Sequence, residues 1–279
     1  MKATIFGASG LLGRALMREW SGDEVVGLNS RDADIRDAGQ VRSAIQRTRP
    51  QWIVLAAAYT DVDGAERDAS RAFGVNRDGA VNVAHAAKQA GARLLFLSSD
   101  YVFDGKKKSP YETGDPRHPL GVYGRSKAEA ETQLLETLPD VCIARTSWLF
   151  GVGGRCFPDT ILKLAASRPA LDVVDDQRGR PTYCIDLARA IIQLCRKSAS
   201  GIVHVTNTSE CSWFEFARAI VSGAGLAAEV RPVSTQQMPR PAPRPAYSVL
   251  SEKSLASWDV QMPDWQDALR RYLKERSAS

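Results

Sequence analysis

Histidine is scarce in this chain, with three in 279 residues, which argues against a histidine-built metal centre. The five cysteines, Cys142, Cys156, Cys184, Cys195 and Cys211, form no CxxC pair and no Cys/His metal spacing. An odd, scattered set points to buried thiols in a reducing compartment, and so to a cytoplasmic protein. No apolar run is long enough to span a bilayer, so no membrane partner is expected. The opening MKATIFGASG is strand-like and has no secretory pattern. Internal repeats are missing too. The formal net charge is +5, but the basic residues are dispersed and the single run is Lys106–Lys108. That excludes a concentrated nucleic-acid footprint and suits an enzyme whose ligands carry phosphates.

What is present is a globular composition, 44% hydrophobic and 25% charged. The first half alternates strand-like runs with helical spacing. Ala3–Phe6, Glu24–Leu28, Ile53–Ala57 and Arg93–Leu97 read as strands; Leu11–Trp20, Ala38–Thr48 and a long Ala65–Ala90 read as helices. Such alternation predicts an α/β fold with a parallel sheet covered on both faces. After about residue 150 the pattern loosens. Gly201–Val205 reads as a strand, Ser212–Gly223 as a capped helix, the proline-rich 231–244 as an extended loop and Asp264–Glu275 as an amphipathic helix. The division is a nucleotide-binding domain over 1–150, with later sheet-completing segments interleaved, and a smaller lobe over 151–279.

Gly7, Gly10 and Gly13 follow the first strand and open the first helix, as a loop that cradles a pyrophosphate does. The second strand ends in Leu28-Asn29-Ser30-Arg31 with no acid for a ribose. Arg31 offers a guanidinium to a 2′-phosphate, so NADPH is favoured and NADH is the alternative. The strand at 94–97 runs into Ser98-Ser99-Asp100-Tyr101, and the carboxyl end of a parallel strand faces the ligand crevice. Further on, PLGVYGRSKAEAE sets Tyr123 one helical turn before Lys127. A phenol of ordinary pKa about 10 is a weak acid, and an adjacent ammonium lowers that value. Tyr123 can then exchange a proton with a carbonyl oxygen that the Ser99 hydroxyl holds.

Glycine loop, strand-end serine and YxxxK in this order resemble the extended short-chain dehydrogenase/reductases. PQWIVLAAAYTDVDGAE, SSDYVFDG, RTSWLFG, DQRGRPT and PDWQDALRRYL narrow the resemblance to the dTDP-4-dehydrorhamnose reductase family over nearly the whole chain. It implies a Rossmann-type doubly wound sheet, a smaller C-terminal substrate-binding lobe, and NADPH-dependent reduction of a dTDP-linked 4-keto-6-deoxy sugar. By matching motif, Tyr123 is the proton donor, Lys127 holds the nicotinamide ribose, and Ser99 sets the carbonyl position. Asp100, Tyr101 and Trp148 touch the sugar. Gly10, Leu11 and Leu12 lie under the pyrophosphate, Asp34 and Ile35 border the adenine, and Ala58, Tyr59 and Thr60 line the cofactor cleft. Gln177, Arg178 and Arg180 belong to a motif of the substrate lobe, where an arginine neutralises the diphosphate.

Several positions depart from the family pattern. Leu55 and Tyr59 replace asparagine and histidine, and Cys156 and Tyr247 each replace an asparagine. Some relatives form a dimer bridged by magnesium through glutamates. Ala15 stands at one of those places and Asp186 is the nearest substitute for another. No residue is assigned to a metal; magnesium stays open, and a homodimer is the assembly the resemblance allows. Three rivals are reduction of a different keto-sugar, an epimerase, and a noncatalytic NADP-binding regulatory subunit.

Overall fold

Strands that are apolar on both faces need cover on both, and the helices supply it. The computed structural model describes residues 1–278. β1 (Lys2–Phe6) leads into α1 (Leu11–Glu19); β2 (Glu24–Leu28), α2 (Ala38–Thr48) and β3 (Trp52–Leu55) follow. Then come α3 (Val62–Arg67), α4 (Ala69–Phe73), a π-helical turn (Gly74–Asp78), α5 (Gly79–Ala90) and β4 (Arg93–Ser99). A 3₁₀ turn (Asp100–Val102), α6 (Val122–Thr137) and β5 (Cys142–Thr146) complete this half. Next are β6 (Leu149–Phe150), α7 (Phe157–Ala165), β7 (Ala170–Val174), β8 (Arg178–Gly179), β9 (Thr182–Tyr183), α8 (Cys184–Arg196) and β10 (Gly201–His204). The chain finishes with β11 (Cys211–Ser212), α9 (Trp213–Gly223), β12 (Glu229–Val233), α10 (Lys253–Ala256) and α11 (Trp265–Ser277).

The main sheet has the order β10-β5-β4-β3-β1-β2 and is parallel throughout. Side chains alternate between its faces. Trp52 and Val54 join α1 and α8 in one core, while Ile53 and Leu55 join α2, α5 and α6 in the other. β2 and β3 flank β1 on opposite sides, so the chain reverses direction across the sheet there. The crevice beyond the strand ends at that reversal is where this architecture binds ligands.

Two expectations change. The stretch read as one helix over 65–90 is interrupted twice. Asp68 ends α3 and caps α4 by accepting the Arg71 amide at 3.0 Å. The π-helical turn then pushes buried Asn76 inward, where its amide bonds the Tyr59 backbone at 2.8 and 3.1 Å and Ser126 Oγ at 3.0 Å. The proline-rich segment read as loop begins as a strand: β12 pairs in parallel with β7 despite Pro232. A proline is tolerated because β12 is an edge strand.

Under α6 lies a buried ion pair. Arg145 donates to Glu131 at 2.9 and 2.6 Å, with relative exposures of 1% and 0%. Arg117 adds a third contact to Glu131, at 3.1 Å. Removing one partner strands a buried charge, so Glu131→Ala is expected to cost roughly 3–5 kcal/mol. Denaturant unfolding checks this; a loss well below 1 kcal/mol would contradict the burial argument.

Candidate active site

A cleft of about 740 Å³ opens beyond the carboxyl ends of β1, β3, β4 and β5. Its floor on one side is the glycine loop. Gly7 has φ +89°, and a Cβ there would stand 2.5 Å from the Ala57 amide nitrogen. At Gly13 an added Cβ would stand 2.1 Å from the Gly7 carbonyl oxygen, so loop and helix touch backbone to backbone. Gly10 starts α1 without a side-chain cap, and no acid occupies the first turn. The helix N-terminus therefore presents its amides and positive dipole end to the cleft, as a pyrophosphate requires. Gly7, Gly10, Leu11 and Leu12 all line it. Asp34 and Ile35 line the far end, and Ala58, Tyr59 and Thr60 the wall after β3. These surfaces fit a dinucleotide.

Opposite them are Ser99, Asp100, Tyr101, Tyr123 and Lys127. The Ser99 hydroxyl donates to Asp100 Oδ1 at 3.0 Å and accepts the Tyr101 amide at 3.2 Å. Burial pushes the Tyr123 phenol up to about 12; the Ser99 hydroxyl pulls it down and the Asp100 charge pushes it further up. Tyr101 packs edge-on against it, with ring centroids 5.9 Å apart. Lys127 Nζ donates to the Leu97 carbonyl at 2.8 Å and lies 4.6 Å from the Phe96 ring centre. Burial drives that ammonium down to about 7, against the pull of Glu131 one turn on. The expected acidification of Tyr123 by Lys127 is thus not a property of the polypeptide alone. Burial dominates both groups.

Asp100, expected to touch the sugar, lines the cleft but is 2% exposed; its Oδ1 accepts the Ser99 hydroxyl, and its Oδ2 has no hydrogen-bond partner among the described residues. Trp148 does face the cleft, in a left-handed conformation with φ +47°. Its indole stacks on Trp213, with ring centroids 3.5 Å apart and planes 8° from parallel. Trp213 also lines the cleft and was not singled out from the sequence. Its signal was faint: an aromatic directly after the Ser212 cap of a helix.

Three predicted residues do not reach the cleft wall. Arg31 is exposed beside Ser30, which does line it. Gln177 turns its amide to Thr235 Oγ1 at 2.9 Å. Arg180 is paired with Glu252 at 2.6 Å, so its charge is already matched. Arg178 is likewise held, by Glu210 and Glu215 at 3.0 and 3.2 Å. Asp186, considered as a metal-ligand substitute, is bracketed by Arg271 at 2.8 and 2.7 Å and Asn207 at 2.8 Å. Among the described residues no group of three or more His, Cys, Asp or Glu could hold a metal ion. No helix among them is long and apolar enough to cross a membrane.

A glycine loop at a helix N-terminus and a Ser-Tyr-Lys set, facing one another across a Rossmann-type cleft, define a nicotinamide-dependent oxidoreductase. The RmlD substrate binding domain model matches residues 1–278. The spore coat polysaccharide biosynthesis protein SpsK of Bacillus subtilis is 41% identical, over 100% of this chain and 99% of its own. A dTDP-4-dehydrorhamnose reductase of Mycobacterium tuberculosis is 39% identical, over 96% of this chain and 91% of its own. The solved dTDP-4-dehydrorhamnose reductase of Bacillus anthracis, in complex with NADP, superposes with a TM-score of 0.96 at 39% identity, covering 99% of this chain and 100% of that one. The chain belongs to the RmlD family of dTDP-4-dehydrorhamnose reductase-like, NAD(P)H-dependent oxidoreductases.

Because Gly13 admits no side chain, Gly13→Ala should weaken NADPH binding roughly tenfold or more, equivalent to about 1.4 kcal/mol. A fluorescence titration of NADPH measures it. An unchanged Kd would mean that the loop does not hold the pyrophosphate.

Proposed function

We propose that this protein uses NADPH to reduce the 4-keto group of a dTDP-linked 6-deoxy sugar, converting dTDP-4-dehydro-L-rhamnose to dTDP-L-rhamnose. The observation that carries this is the half-buried Tyr123 phenol, lining one cleft with Ser99 at the strand end and Lys127, across from the glycine loop. The bound cofactor supplies the hydride to the carbonyl carbon. Tyr123 gives its proton to the carbonyl oxygen, and Ser99 orients the phenol for that transfer. Lys127 holds the nicotinamide ribose. Its Nζ, fixed on the Leu97 carbonyl, is anchored to the same strand that carries Ser99.

Residues 1–150 supply mainly the cofactor side, with β10 completing their sheet, and 151–278 mainly the sugar-nucleotide side. The stacked Trp148 and Trp213 supply an aromatic wall for the sugar. Cys156 and Tyr247, two of the departures from the family pattern, do not line the cleft. The Cys156 thiol faces Asp159 at 3.2 Å, and the Tyr247 hydroxyl bonds Glu210 at 2.9 Å. That favours the rhamnose precursor over another keto-sugar. Retention of Ser99, Tyr123 and Lys127 together on the cleft wall favours catalysis over a purely regulatory role. Five free, buried cysteines accord with a reducing cytoplasm.

Tyr123→Phe should lower kcat roughly a hundredfold or more while NADPH binding is retained, since only the transferable proton is deleted. The assay is NADPH oxidation with the 4-keto sugar nucleotide, and unchanged turnover would refute the donor assignment. At the adenosine end, Arg31→Asp should shift preference from NADPH toward NADH. The same assay run with both cofactors reads that ratio, and a constant ratio would move the 2′-phosphate contact to another residue.

A further inference from the structure

Asp100 sits at the end of β4 beside Ser99, and the reaction described above gives it no part. Its placement is unusual for a carboxylate. It is 2% exposed; its Oδ1 accepts the Ser99 hydroxyl at 3.0 Å, the Ser248 hydroxyl and the backbone at Asp100 and Tyr101 also favour its charged form, and its buried Oδ2 has no hydrogen-bond partner among the described residues. Ser99 is the joint of the arrangement. A serine hydroxyl has one proton and two lone pairs. One lone pair accepts the Tyr101 amide at 3.2 Å, which leaves one donor and one acceptor position for its two remaining neighbours, Asp100 and Tyr123. A hydroxyl so placed passes a proton in at one side and out at the other.

We propose that Asp100 is a positioning residue that stores a proton and returns it, through Ser99, to Tyr123 after each transfer. The proposal rests on the reductase reading. As hydride reaches the carbonyl carbon, the Tyr123 O–H bond breaks and its proton joins the carbonyl oxygen, giving the alcohol. The phenolate takes the Ser99 proton while Ser99 takes the Asp100 proton. Tyr123 and Ser99 are restored, Asp100 is left as a carboxylate, and it regains a proton from solvent between turnovers. No oxidant or reductant beyond the cofactor is needed.

The surroundings suit the task. Burial pushes Asp100 up to about 7, against the pull of the Ser248 and Ser99 hydroxyls, so the protonated acid is populated near neutrality. The titratable side chains that feel its charge are Tyr101, next along the chain, and Tyr123 on α6. Arg244, from the proline-rich segment, reaches Tyr101 and is paired with Asp63 at 2.8 Å. Lys127 also lies near 7, but it is directed to the Leu97 carbonyl.

The test is Asp100→Asn, whose amide keeps the hydrogen bond to Ser99 but holds no transferable proton. In the wild type, kcat for reduction should fall as pH rises through about 7, as Asp100 ionises. In the variant kcat should drop about tenfold or more, and that falling limb should vanish. NADPH binding should be retained. A limb that persists near 7 would assign it to Lys127 and overturn the proposal. Ser248→Ala gives a second handle: it removes a hydrogen bond that favours the carboxylate, so the limb should move to higher pH. A purely structural role for Asp100 would leave the limb where it was. Independently of any sugar, the infrared carbonyl band of a buried carboxylic acid should appear below pH 7 in the wild type and be missing in Asp100→Asn. Lack of that band would overturn proton storage. Its presence alongside no turnover would instead fault the substrate assignment.

Discussion

The site depends on polar groups buried in register between one strand and one helix. Tyr123, Lys127 and Glu131 recur every four residues along α6 and so share a face. The end of β4 meets them with successive residues. Leu97 offers its carbonyl to Lys127, Ser98 its hydroxyl to Glu131, and Ser99 lines the cleft together with Tyr123. Arg145, from β5, neutralises Glu131 from behind. With Glu131 already matched, its pull on Lys127 does not offset the cost of burial. The ammonium is consequently held close to its point of deprotonation. A buried ion pair is weak evidence of stability gained, but here it fixes the height of α6 against the strand. A shift of one residue in that register would separate all three contacts together.

The opposite wall is tied to the same helix. Asn76 reaches it only because the π-helical turn displaces the backbone, and its amide joins the loop after β3 to Ser126 on α6. Single π turns are concentrated at functional sites, and this one shows a physical reason. With the turn in place, Tyr59 and Tyr123, on opposite cleft walls, are separated by a short chain of hydrogen bonds. The close approach of Gly7 to Ala57 fixes the glycine loop to that wall as well.

How much of this could be read from sequence follows from how far each contact reaches. The strands of the parallel sheet and the glycine loop were legible, since both-face apolar runs and a strand-glycine-helix order are local patterns. Tyr123 and Lys127 were legible for the same reason. The break in 65–90 was not: Asp68 and Asn76 resemble ordinary helix-surface residues until their partners, Arg71 and Tyr59, are in place. Gln177 and Arg180 were drawn toward the site by their motif. The partners that hold them, Thr235 and Glu252, come from much later in the chain, and no local spacing announces them. The Tyr123 phenol shows a related limit. A four-residue spacing gives proximity to Lys127, whereas the burial that pushes the phenol up is a property of the whole fold.

The Trp148 wall of the cleft is built by residues other than Cys156 and Tyr247, two of the departures from the family pattern. Trp148 occupies a left-handed backbone region that costs a non-glycine residue about 1–3 kcal/mol, and the surroundings must hold it there. Trp213 does so by stacking at 3.5 Å, and Gly179 does so by lacking a Cβ, which would come within 2.5 Å of the indole. The backbone is pinned as well, since the Thr182 amide donates to the Trp148 carbonyl at 3.1 Å. The shape of the aromatic wall is therefore set by β8, β9 and the first residue of α9, none of which carries an altered motif. Cys156, by contrast, lies among Asp159, the Gly151 carbonyl and Tyr272. These contacts join the start of α7 to α11. A substitution there bears on packing before it bears on the choice of sugar.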